Sequence, residues 1–80
     1  MWYVYALQSI KDKHLYIGIS ENTNERLKQH NSGMTRSIKH RRPFVIIYQE
    51  KCKSRIDARK REKYLKSGIG REFLKKYMPP

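Results

Sequence analysis

Apolar residues open the chain in a near-unbroken run, Trp2 to Leu7, which is aromatic-rich and too short for a helix and so predicts a strand. Leu15 to Ile19 has the same character, and the polar stretch Ser9-Ile10-Lys11-Asp12-Lys13 between the two predicts a hairpin. If Leu7 lies opposite Tyr16, then Tyr5 faces Gly18 and sits diagonal to Tyr16, with both rings on one face of the sheet. A slip of one residue would put the rings on opposite faces. From Asn22 the pattern changes to helix formers through Glu25-Arg26-Leu27-Lys28-Gln29-His30, with Gly33 as a C-terminal stop. Arg26 and His30, four apart, share one helical face. Met34 to Arg42 is basic and without period, and reads as a loop. Pro43 opens a third strand, Phe44 to Tyr48, apolar at both parities and therefore predicted to be covered on both faces. Ser54 is the expected cap of a helix running to about Ser67, with Asp57 three residues on. Gly68 and Gly70 break that helix, and Gly70 to Tyr77 forms a short last one before Pro79-Pro80 ends the chain.

This order predicts one α+β domain over residues 1–80, a small three-stranded antiparallel sheet flanked by helices in the sequence β-β-α-β-α-α. Trp2, Val4, Ala6, Leu15, Ile17, Phe44, Ile46 and Leu65 are the expected core. So small a domain needs most of its apolar residues there.

Charge narrows the function. The chain carries 19 basic against 7 acidic residues, a formal net charge of +12. Such an excess destabilises the compact state by self-repulsion, so an acidic partner is the natural explanation. The cations are spread from Lys11 to Lys76 and interleaved with tyrosine and isoleucine, unlike a basic tail, which favours nucleic acid over a membrane surface. The single Cys52 excludes an internal disulfide and suits a reducing compartment. Its neighbours Lys51 and Lys53 could lower its pKa, but an ordinary thiol at a strand end is the favoured reading. No apolar run approaches a membrane span and no leader-like segment precedes the first strand, so a cytoplasmic protein is expected.

Several chemistries are excluded by residue type and spacing. His14, His30, His40 and Cys52 lack the ligand spacing of zinc fingers or ribbons. No glycine-rich loop links a strand to a helix ahead of a Lys-Ser/Thr pair. A two-metal nuclease site needs several convergent carboxylates, and most of the seven acids read as solvated helix or turn residues. A single magnesium site asks less, because the ion keeps waters and takes one carboxylate plus substrate phosphate.

Tyr3-Val4-Tyr5 and Tyr16-Ile17-Gly18, their tyrosines Tyr5 and Tyr16 eleven apart, are followed by Arg26 and, much later, by Glu62 within Ala58-Arg59-Lys60-Arg61-Glu62-Lys63. In this ordered set the chain resembles the GIY-YIG nucleases, from about Trp2 to Leu74, and most closely their small stand-alone bacterial subgroup. The first motif has drifted at Tyr3 and Val4, whereas the second matches outright. The resemblance implies metal-dependent hydrolysis of phosphodiester bonds in DNA. Glu62 would hold one Mg2+ or Mn2+ ion, and Arg26 would contact the phosphate. Tyr5 or Tyr16 would take a proton from the attacking water while the other positions it, and surrounding positive charge would favour the phenolate. His30 is the alternative base or a phosphate donor. Two departures stand out: Ile19 replaces a lysine found in many members after the second motif, and no asparagine follows Glu62.

Plainer readings exist for each residue. Tyr5 and Tyr16 are acceptable half-buried strand aromatics. Glu62 has an i,i+4 partner in Lys66, a pairing that stabilises a helix by ~0.3 kcal/mol without any metal. Lys39, His40, Arg41 and Arg42 are either a solvated loop or a track for a DNA backbone. The rival function is a nucleic-acid-binding module of the same fold that cuts little or not at all; a structural role in a ribonucleoprotein is more remote. DNA is the expected partner, with RNA open. Oligomeric state is undetermined, and target selection is expected to be weak or supplied by a larger repair or processing partner.

Overall fold

A computed structural model describes residues 1–78; Pro79 and Pro80, expected to end the chain, lie outside the described residues. The elements are β1 (Trp2–Ser9), β2 (Leu15–Ser20), α1 (Thr23–Asn31), a 3₁₀ turn (Lys39–Arg41), β3 (Phe44–Cys52), α2 (Arg55–Lys66) and α3 (Gly68–Lys75). The strands form one antiparallel sheet in the order β2-β1-β3, so the α+β architecture is the one the sequence pattern predicts.

β1 is central and apolar because it is covered on both faces. Val4 and Ala6 pack with Ile17, Leu65 and Leu74 beneath α2 and α3. Tyr5 and Leu7 point the other way, into a cluster with Ile38 and Phe44 that Tyr16 and Leu27 flank. Burying each large aliphatic side chain contributes about 1.5–3 kcal/mol. The hairpin register pairs Tyr5 with Gly18 and Leu7 with Tyr16, which sets both tyrosines on the α1 side of the sheet. A bulge interrupts the β1–β3 pairing between Ala6 and Leu7.

Side chains fix the helix starts. The Asn22 side chain accepts from the Glu25 N–H, Ser54 Oγ from the Asp57 N–H and Ser67 Oγ from the Gly70 N–H. Each such cap is worth about 1 kcal/mol. α1 ends in a Schellman motif, with Gly33 at φ 85° and bonds from its N–H to the His30 carbonyl and from the Met34 N–H to the Gln29 carbonyl. That turn sends the chain back over His30.

Four expectations are corrected. β1 continues to Ser9. β3 runs on to Cys52 and, as an edge strand, is only partly covered, with Val45 38% exposed. Residues 34–42 are not simply a loop, since they contain the 3₁₀ turn and bury Ile38. The break after α2 falls where expected, but the last helix runs from Gly68 to Lys75 instead of from Gly70 to Tyr77, because Ser67 both terminates α2 and caps α3. Among the described residues no helix is long and apolar enough to cross a membrane.

Candidate active site

The four residues singled out by the resemblance, Tyr5, Tyr16, Arg26 and Glu62, meet in one cleft of about 300 Å³. Tyr5 comes from β1, Tyr16 from β2, Arg26 from α1 and Glu62 from α2, with Gly18 between the tyrosines and Arg55 and Arg59 at the margin. The cleft wraps around the outer edge of the sheet at β2. Tyr5, Tyr16 and Gly18 reach it from one face, and Trp2 and Ile19 from the other. Glycine at position 18 is a steric requirement: a Cβ there would lie 2.7 Å from the Tyr5 hydroxyl oxygen and 3.0 Å from its Cζ.

Tyr5 and His30 form the interior of the site. Both are almost solvent-free, and the Tyr5 hydroxyl lies 3.2 Å from His30 Nε2. The other ring nitrogen, Nδ1, lies 2.7 Å from Thr35 Oγ1, on the segment that Gly33 turns back over the helix. Tyr16 packs edge-on against the same imidazole, with ring centroids 4.9 Å apart. Burial, and then the Arg26 guanidinium, holds His30 below the usual histidine range, so the imidazole is neutral. Burial pushes the Tyr5 phenol up to about 12, Tyr16 adds to the rise, and Arg26 pulls the other way. The expectation that nearby cations favour a phenolate therefore does not hold for Tyr5; desolvation outweighs them.

Glu62 is 6% exposed and carries two ion pairs, 3.0 Å to Arg59 Nη1 and 3.3 Å to Lys66 Nζ. Both partners are half-exposed, long and flexible, so they can leave the carboxylate when a phosphate competes for them. Among the described residues no cluster of three or more His, Cys, Asp or Glu side chains forms a metal cage. One hard carboxylate oxygen donor facing a cleft fits a single magnesium or manganese ion that keeps its waters, and does not fit zinc. Arg26 is held in place by donating from Nη1 to Gln29 Oε1 at 2.6 Å.

Lys39, His40, Arg41 and Arg42 line none of the cleft. They sit at the far end of β1, where Ser9 Oγ donates to the Arg41 carbonyl, Arg41 pairs with Asp12, and Arg42 Nε donates to the Lys39 carbonyl. Arg55, Arg59, Thr35 and Gly18 were not singled out as site residues from the sequence. Only Gly18 carried a readable signal, its register opposite Tyr5. Cys52 is buried with its thiol pushed up, first by desolvation, which makes it an inert core residue.

Fold and cleft together define a small basic α+β domain with a tyrosine–arginine–carboxylate site at a sheet edge. The chain belongs to the GIY-YIG family: the sequence model of the GIY-YIG catalytic domain matches residues 1–77. It is similar to the UPF0213 protein DP2720 of Desulfotalea psychrophila, 40% identical over 67 residues that cover 81% of this chain and 60% of that protein. The UPF0213 protein SH2523 of Staphylococcus haemolyticus is 38% identical over 74 residues, 91% of this chain and 89% of the relative. The UPF0213 protein CPE1444 of Clostridium perfringens is 37% identical over 67 residues, 82% and 71% of the two chains. These are small stand-alone proteins of the bacterial branch of the family. No solved structure matches significantly.

Proposed function

We propose that this chain is a divalent-metal-dependent endonuclease that hydrolyses phosphodiester bonds in DNA through Tyr5, Tyr16, Arg26, His30 and Glu62. The observation that carries the reading is the meeting of both tyrosines, Arg26 and Glu62 in one cleft, each from a different element. Arg26, oriented by Gln29, forks onto non-bridging phosphate oxygens and stabilises the charge that develops in the transition state. Tyr5, deep in the cleft with a raised pKa and a hydrogen-bonded hydroxyl, positions the phosphate or water. Tyr16, only partly buried, is the phenol that reaches the water and takes its proton. Neutral His30 orients Tyr5; its two ring nitrogens are both engaged, which supports this role over that of general base. A magnesium or manganese ion, held by Glu62, would neutralise charge on the scissile phosphate and support the leaving oxygen.

DNA is the substrate class, RNA being the alternative polymer, and cytoplasmic action as a single domain fits the buried unpaired thiol and the charge. The rival, a nucleic-acid-binding module that does not cut, draws on the double ion pair at Glu62, which explains that carboxylate without a metal. Nicking of a supercoiled plasmid with Mg2+ or Mn2+ separates the two. Arg26→Ala is expected to lower cleavage by about 100- to 1,000-fold, and Glu62→Ala by at least as much, with folding retained by circular dichroism. No cleavage of any DNA or RNA form with either metal selects the binding module, and undiminished cleavage by Glu62→Ala refutes the metal-dependent mechanism through Glu62.

A further inference from the structure

Three clefts lie side by side along α2 and share walls. Arg55 and Arg59 join the candidate active site to a cleft of about 320 Å³ that continues to Ile56, Lys60 and Lys63. On the opposite side, Tyr16 and Glu62 divide the site from a cleft of about 270 Å³ that continues to Lys66 and Arg71. Helix geometry accounts for this arrangement. At about 100° per residue, Arg55, Lys66, Arg59, Lys63 and Lys60 fan over about 140° of the α2 circumference, starting beside Glu62. Asp57 falls outside that sector, so Glu62 at its edge is the only α2 acid beside this wall. Among the described residues Arg55, Lys60, Lys63 and Arg71 make no ion pair.

Cations left unneutralised on one wall repel each other, which a chain of phosphates offsets. Arg55, Arg59 and Lys63 repeat at about 6 Å along the helix, a spacing suited to successive anionic groups and not to one carboxylate. The cationic face runs lengthwise along one helix and opens into the two recesses beside the sheet edge, and a narrow line of cations fits a strand better than the broad surface of a bilayer. We infer that the three clefts form one continuous groove for a DNA backbone, in which Lys60 and Lys63 hold phosphates on one side of the Glu62–Tyr16 divide and Arg71 holds them on the other. The placing of the scissile phosphate at that divide rests on the nuclease reading; the groove itself does not. The Lys39–Arg42 turn lies outside it.

The test measures binding of a labelled 20-base-pair duplex in EDTA, against sodium chloride concentration, in a Glu62→Gln background. Lys60→Ala/Lys63→Ala is expected to reduce the slope of log K against log salt by about 1.8, and Arg71→Ala by about 0.9. The charge-matched Lys75→Ala/Lys76→Ala protein keeps the full slope. Equal losses for equal charge removed, the control included, overturn the groove, as does an unchanged slope in the groove variants. Binding of anionic vesicles but not duplex through Lys60 and Lys63 overturns it too. Cleavage is assayed separately with Glu62 intact. A protein that binds through the groove but cuts nothing refutes the nuclease reading alone, whereas one that cuts with unaltered slopes refutes the groove alone.

Discussion

At Gly18 one methyl group decides whether Tyr5 can occupy its place. The backbone there needs no left-handed φ, so the constraint is contact: the missing Cβ leaves the space that the Tyr5 hydroxyl fills on its way to His30. Tyr5 is packed among Leu7, Ile38 and Phe44, so its ring shifts only by disturbing those contacts. Gly18→Ala is therefore expected to cost about 1–3 kcal/mol, as overpacking does, and to reduce cleavage at least tenfold. Urea denaturation alongside the nicking assay checks this, and wild-type stability in the variant would refute the packing argument. His30 gives a second residue-scale prediction. Its pKa is lowered in the fold by burial and by Arg26, whereas the unfolded chain takes up that proton near pH 6.5. Below that pH the unfolded state binds more protons than the folded one, so this contribution to stability is full above about pH 6.5 and is lost as pH falls toward the folded value. Urea midpoints measured from pH 5 to 7.5 should fall on the acid side, and His30→Gln should flatten the fall.

At the scale of elements, the hairpin register was readable only conditionally. Both strands are apolar throughout, so local pattern does not forbid a one-residue slip, and it is the tertiary packing that fixes Tyr5 opposite Gly18 and sets Tyr5 and Tyr16 on one face. The other elements were harder for identifiable reasons. Gln49, Glu50 and Lys51 look like loop residues, yet β3 is an edge strand whose exposed positions take polar side chains freely. Gly68 has the composition of a breaker, but Ser67 supplies a cap and the helix starts there. Ile38 lies in a basic stretch without period, and its burial follows from the turn made by Gly33, a tertiary effect invisible to local pattern. The same holds for the site. Tyr5, Tyr16 and Arg26 could be picked out by order and spacing, and Glu62 through the resemblance these support. Arg55 and Arg59 could not, because α2 carries so many cations that none stands out until the fold shows which of them border the carboxylate. Thr35 reaches His30 only through the same Gly33 turn.

For the whole molecule, charge is the dominant unbalanced quantity. The Cα framework extends only 31 × 25 × 18 Å and bears a net charge of +12. Five ion pairs among the described residues engage few of the 19 cations, and those at Lys75 and Arg41 are too exposed to contribute much. Self-repulsion should therefore outweigh surface pairing, and screening should stabilise the fold. Raising sodium chloride from 20 to 300 mM at pH 7 is expected to increase the melting temperature; each kcal/mol gained corresponds to about 4–8 °C in a domain of this size. A short DNA duplex at low salt should raise it further, because a ligand that binds only the folded state stabilises it in proportion to the logarithm of its concentration above Kd. The two effects have opposite salt dependence. Screening helps the free protein and weakens the complex, so the melting curves with and without duplex should converge as salt rises. Differential scanning fluorimetry across that range reads both at once, and a melting temperature of the free protein that falls with salt would show that the ion pairs, not the excess charge, govern its stability.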